Sequence, residues 1–86
     1  MKLELIEKSD DGKKIKIGLI EADTTLITPI LEKLDNRKDV KFVRFIETHP
    51  ELDRPAIYVE MYENSTDTAA QAISAAAEEL SVYYSQ

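Results

Sequence analysis

Two strand-like runs are joined by Thr48-His49-Pro50-Glu51-Leu52-Asp53-Arg54-Pro55, and this connection restricts the fold more than any other stretch of the chain. Each proline fixes its own φ and steers the preceding residue away from helix. The segment is therefore expected to cross between strands as a rigid, extended bend. Before it, Val40 to Ile46 is strongly β-prone; after it comes Ala56-Ile57-Tyr58-Val59-Glu60-Met61-Tyr62. In the second run Ile57, Val59 and Met61 alternate with Tyr58, Glu60 and Tyr62, which predicts a strand with one face inward. The first run is less regular. Phe42, Arg44 and Ile46 share one side and Lys41, Val43 and Phe45 the other, so neither face is purely apolar and two registers stay open.

Lys2 to Lys8 and Lys14 to Ile20 are further β-rich runs, separated by Ser9-Asp10-Asp11-Gly12-Lys13. Asp-Gly supplies the positive φ of a tight turn, so these runs should pair as an antiparallel hairpin. Ile15, Ile17 and Leu19 mark the buried face, with Leu3 and Leu5 matching them on the first strand. From Thr25 to Leu34 the period lengthens. Leu26, Ile30, Leu31 and Leu34 stand at helical intervals, with Glu32 and Lys33 opposite. Thr28 as N-cap would put Pro29 at the favoured first helical position, whereas Thr25 as N-cap would make Pro29 crowd the opening turn. Regular helix is expected from about Pro29, after a looser turn. The last segment has capping residues in Asn64-Ser65-Thr66-Asp67, six alanines, and no glycine or proline before the end. Ala69, Ile73, Ala76, Ala77, Leu80 and Tyr84 form one stripe, predicting a single closing helix that includes Tyr84.

With 86 residues the chain is read as one domain, 1–86, without room for a second core. A hydrophobic fraction of 43% and a charged fraction of 33% belong to a folded, soluble protein. The net charge of −6 repels phosphate backbones and argues against independent nucleic-acid binding. Cysteine is absent, which excludes disulfides, thiolate metal sites and cysteine nucleophiles, and is compatible with the cytoplasm. The acid-interrupted start, Met1-Lys2-Leu3-Glu4-Leu5-Ile6-Glu7, does not form a signal-peptide core, and no apolar run is long enough to span a membrane.

Chemistry-bearing clusters are sparse. His49 is the only histidine and lacks a second imidazole or a thiolate to complete a metal set, so it reads as a loop residue. Glu51 and Asp53 could pair with it as carboxylates, but no nucleophile–base pattern accompanies them. Asp10 and Asp11 read as turn formers. Arg37-Lys38-Asp39-Val40-Lys41, with Lys33 and Arg44, is the one basic cluster. It could meet a phosphate or an acidic patch; its simpler reading is a solvated helix end whose cations complement the dipole. Gly12 and Gly18 are the only glycines, so a glycine-rich phosphate loop is excluded, and no catalytic set is found. The alanine-rich helix could pack on its own sheet, on another chain, or on both.

The order of these motifs resembles the subunit L family of archaeal DNA-directed RNA polymerases, over most of the chain. That family opens its first helix with an acid and a histidine-threonine-leucine-glycine-asparagine stretch followed by two apolar residues. Here Asp23, Thr25, Leu26, Ile30 and Leu31 fit, while Thr24, Ile27, Thr28 and Pro29 depart. The family's second motif, a strand leading to histidine-proline-leucine and a short β run, is similar to Ile46-Glu47-Thr48-His49-Pro50-Glu51-Leu52 followed by Ile57-Tyr58-Val59, with Glu51 inserted.

The resemblance implies an α+β fold of order β-β-α-β-β-α, like the dimerisation domain of the bacterial polymerase α subunit. A four-stranded, mostly antiparallel sheet would carry two helices on one face. It also implies a non-catalytic assembly subunit without cofactors. Such a protein heterodimerises with the polymerase's D subunit to form a platform for small zinc-bearing and large catalytic subunits, which hold the metal and nucleic acid. The implied interface is Leu26, Ile30 and Leu34 from the first helix and Ile73, Ala77, Leu80 and Tyr84 from the last. The alternative is a small ferredoxin-like, ligand-binding regulatory domain with a concave pocket.

Overall fold

Asp11-Gly12 closes the first hairpin as its residue types require, with Gly12 at φ +73° in the computed structural model, which describes residues 1–49 and 53–85. The turn joins β1 (Lys2–Lys8) to β2 (Lys14–Ile20), which pair antiparallel with Leu3 opposite Leu19 and Leu5 opposite Ile17. This is the expected register, and it turns Leu3, Ile15, Ile17 and Leu19 fully inward. Beyond lie α1 (Thr24–Asp35), β3 (Val40–His49), β4 (Arg54–Met61), α2 (Ala69–Glu79) and a short β5 (Tyr83–Ser85). The strands form one mixed sheet in the order β3-β4-β2-β1-β5. All its pairings are antiparallel except β1 with β5. The expected α+β architecture and element order hold, and β5 adds a fifth strand at the edge.

Both helices lie against one face of the sheet. Ile30 and Leu34 of α1 and Ile73 of α2 form one core with Ile15, Ile17, Ile57, Val59 and Met61, and all eight are at most 2% exposed. Inward alternation along β4 is as its sequence predicts. The ambiguity of β3 is resolved by an irregularity at Lys41. Val40 pairs with Met61, but the next partner of Glu60 is Phe42, so one residue is skipped. The slip brings Val40, Val43 and Phe45 to the helix side and leaves Phe42, Arg44 and Ile46 on the opposite side. Of the double-proline bend, Pro50, Glu51 and Leu52 lie outside the described residues, while Pro55 stands within β4.

Three helix ends differ from expectation, each for a local reason. Helix α1 starts earlier than Pro29 because Asp23, rather than either threonine, is its N-cap. The Asp23 carboxylate accepts from the Thr25 N–H at 2.9 Å and from the Thr25 hydroxyl at 2.6 Å. Pro29 consequently lies inside the helix, where it lacks the N–H that would reach back one turn. Helix α2 is capped by Thr68, not by the residues before it. The Thr68 hydroxyl accepts from the Gln71 N–H at 3.2 Å, and the Gln71 side chain accepts from the Thr68 N–H at 2.7 Å. At its other end α2 stops at Glu79 instead of running to Tyr84. Ser81 takes φ +55°, the Val82 N–H donates to the Ala77 carbonyl at 2.8 Å, and the Ser81 N–H donates to Glu78 at 3.2 Å. These are the two bonds of a Schellman closure, here with serine at the left-handed position and buried Val82 supplying its apolar contact.

A polar clasp fixes the start of α2. Arg37 meets both oxygens of Asp39 at 2.8 Å and Asp67 at 2.7 Å, while the Ser65 hydroxyl donates to Asp39 at 3.1 Å. From the hairpin turn, Lys13 donates to the carbonyls of Ser65 and Asp67. Hydrogen bonding from Arg37 holds the Asp39 carboxyl down at about 2, against the opposing effect of its partial burial. With a folded value below the unfolded one near 3.8, Asp39 contributes stability above that value, and the contribution is lost as pH falls towards 2. Arg37→Ala is expected to cost about 1–2 kcal/mol at neutral pH, a figure discounted for the clasp's partial exposure. It should also flatten acid unfolding between pH 4 and 2, as read by circular dichroism across a pH series.

Candidate functional site

A chain recognised by another protein must offer apolar side chains that its own core leaves accessible. The two helices run antiparallel, since Lys33 pairs with Glu79 at 2.6 Å while Arg37 pairs with Asp67. The start of α1 therefore lies at the same end as the close of α2 and β5. At that end Leu26 and Ile27 of α1, Leu80 at the cap of α2, and Met1 pack half-buried on the core rim, with Leu31 one turn along.

The seven residues expected at an interface divide sharply. Ile30, Leu34 and Ile73 are fully buried and Ala77 is 2% exposed, so these four belong to the core of the chain itself. Their burial has a simple cause: helical phase marks the apolar face of a helix, and here its centre is spent on the sheet and on the neighbouring helix. Leu26 and Leu80 keep accessible surface. Tyr84 is also half-buried, but it stands on β5 beside Leu3 and not on the closing helix. Ile27, a departure from the family motif, and Leu31, a member of the α1 pattern, extend the same accessible stripe.

Tyr84 has the one buried side-chain polar atom without a hydrogen-bond partner among the described residues, its phenolic oxygen. Burial pushes the phenol above its ordinary value. An orphaned hydroxyl gives nothing back for its lost hydration. Tyr84→Phe is thus expected to leave the isolated chain as stable as before or up to about 1 kcal/mol more stable by thermal melting.

The basic cluster is dispersed by the fold. Lys33, Arg37 and Lys41 are tied to Glu79, to Asp39 and Asp67, and to Glu60 respectively, and so serve joints between elements. Its remaining strand residue, Arg44, is exposed on the side away from the helices. His49 closes β3 opposite Arg54. Among the described residues, histidine, aspartate and glutamate do not gather in a group of three that could hold a metal ion. No described helix is long and apolar enough to cross a membrane.

Comparison with known proteins places this geometry. Residues 14–86, from β2 to the end of the chain, match the family model of the RNA polymerase Rpb3/Rpb11 dimerisation domain. The chain belongs to that family. Its Rpb3/Rpb11-type domain is 30% identical over 61 residues to DNA-directed RNA polymerase subunit Rpo11 of Picrophilus torridus, a match covering 71% of this chain and 61% of that protein. The chain thus spans less than two thirds of that relative. In three dimensions it is similar to the crystal structure of DNA-directed RNA polymerase subunit L from Thermoplasma acidophilum, with a TM-score of 0.73 and 29% identity, covering 92% of this chain and 73% of that one. The family resemblance and the α+β fold stand on these matches.

Proposed function

We propose that this chain is a non-catalytic assembly subunit of DNA-directed RNA polymerase. It heterodimerises with the polymerase's D subunit through the helix layer and so makes a platform on which the small zinc-bearing and large catalytic subunits assemble. The observation that carries the reading is the family match over residues 14–86, together with accessible leucines on α1 and at the C-cap of α2. Leu26, Leu31 and Leu80 form the contact, with Tyr84 beside them. Ile30, Leu34, Ile73 and Ala77 hold the helices at the angle the contact needs. Metal and nucleic acid belong to other chains, in keeping with a net charge of −6 here, and the site of action is the cytoplasm.

Burying each large apolar side chain at the centre of such a contact contributes about 1–3 kcal/mol to association. Placing a carboxylate there costs more, because the charge must be desolvated. Leu80→Asp is expected to abolish co-purification with a co-expressed D subunit while the variant keeps its circular dichroism spectrum. Unchanged recovery of the pair would overturn the assignment of this surface.

A further inference from the structure

The face of the sheet opposite the helices has its own chemistry. Register places three cross-strand rows there: Phe42–Glu60–Lys14, Arg44–Tyr58–Lys16 and Ile46–Ala56–Gly18. Across these three strands the last row is apolar, with Ala56 and Gly18 buried beside half-exposed Ile46, and on β1 it ends at Glu4, which faces Arg54 at 3.7 Å. Phe42 is 41% exposed and its ring centroid lies 5.5 Å from that of Tyr58, tilted by 36°. Phe42, Arg44, Ile46, Tyr58 and Lys16 together line one shallow hollow of about 220 Å³.

Charge on this face runs against that of the molecule. Although the chain carries −6, Lys14, Lys16, Lys41 and Arg44 all reach this side. Glu60 is internally compensated, accepting from Tyr58 at 3.1 Å and facing Lys41 at 3.2 Å. Its burial raises the carboxyl's pKa, but these two partners, together with the charge of Lys14 opposite it on β2, outweigh that effect and lower it. Glu7 sits 3.9 Å from Lys16 on a largely exposed side chain. Among the described residues Lys14 and Arg44 have no ion-pair partner. An exposed aromatic ring, an apolar floor, the unpaired Arg44 and the exposed Lys14 beside Glu60 are thus set side by side on a flat strand surface.

We infer that this face docks an acidic, extended segment of a third polypeptide, with one aromatic or aliphatic side chain against Phe42 and Ile46 and carboxylates on Arg44 and Lys14. Guanidinium and carboxylate match in a planar, two-bond geometry, which gives Arg44 the larger share of recognition. Polypeptide is favoured over single-stranded nucleic acid by the arrangement of the rings. Tyr58 is half-buried against Phe42, so one ring is open where base stacking would use successive platforms. The face lies on the far side of the sheet from the helix contact, so both can be occupied at once.

The test uses a fluorescein-labelled peptide of about 10 residues, alternating glutamate with leucine around a central phenylalanine, the length of an extended segment crossing such a sheet. Binding to the full chain is followed by anisotropy and mapped by backbone amide shifts. The expected result is saturable, salt-weakened binding with shifts confined to β2, β3 and β4. The Lys14→Gln/Arg44→Gln double variant should bind about tenfold more weakly or worse. That variant should keep its melting temperature and its pairing with the D subunit. Pairing is scored separately, so failure of peptide binding is distinguishable from failure of the heterodimer reading. Absence of peptide binding, shifts on the helices, equal binding by the double variant, or tighter binding of oligouridylate than of the peptide would each overturn the inference.

Discussion

Ile73→Ala is expected to destabilise the isolated chain by about 3–5 kcal/mol, a large share of what a domain of this size possesses. Ile73 is fully buried on α2, where it meets the core formed by α1 and the sheet. What makes the site costly is its neighbourhood. The other buried residues of α2 are Ala69, Ala72, Ala76 and Ala77, which have no rotamers with which to refill a cavity. Collapse would require the whole helix to move, and Lys33–Glu79 together with the Arg37 clasp holds it in place. The loss should therefore fall at the upper end of the range for such truncations. Urea unfolding of the isolated chain reads it as a lower midpoint at constant slope. The same experiment separates core from contact: Leu80→Asp should shift this midpoint far less than it weakens pairing.

Gly12→Val is expected to cost about 2–4 kcal/mol, for two reasons that act together. At φ +73° a β-branched residue is strained whatever surrounds it. The space is also filled, since a Cβ on Gly12 would lie 3.0 Å from the Thr68 methyl and 3.3 Å from its Cβ. Thr68 is the N-cap of α2, and the Gly12 carbonyl accepts from the Ala69 N–H at 2.8 Å. Strain at the hairpin is thereby passed to the helix start. Thermal melting should show a fall of well over 5 °C, on the order expected for such a loss in a small domain. Gly12→Ala should show a smaller fall of the same sign.

These two sites also show what a sequence of this kind reveals. Gly12 is legible as a turn residue, because Asp-Gly between alternating runs has few other uses, and the register of β1 with β2 follows from it. Its contact with Thr68 is not legible, since it joins residues far apart in the chain. Strand β3 keeps period two from Phe42 to Ile46, but both of its faces mix apolar and polar residues, so only pairing with β4 decides which turns inward, and the irregularity at Lys41 that adds Val40 to the inner side leaves no residue signature of its own. The end of α2 is hidden for a similar reason. A left-handed closure normally announces itself with glycine; here Ser81 adopts it, and the β-prone Val82-Tyr83-Tyr84 that follows becomes a strand.

Interface residues are the least legible. A helical stripe records which residues leave water, not whether they leave it against the chain's own sheet or against another molecule. Ile30 and Leu26 lie four residues apart on the same helix, yet one is sealed in the core and the other sits on its rim. Family membership supplies the expectation of a dimer contact; the packing of this chain shows which apolar side chains stay accessible.

Amide hydrogen exchange of the chain, alone and in complex with the D subunit, tests this account most directly. Protection gained on pairing should concentrate at the start of α1 around Leu26–Leu31 and across Leu80–Tyr84, leaving β3 and β4 on the far face unchanged. Protection confined to the open sheet face, or none at all on the helix layer, would contradict it.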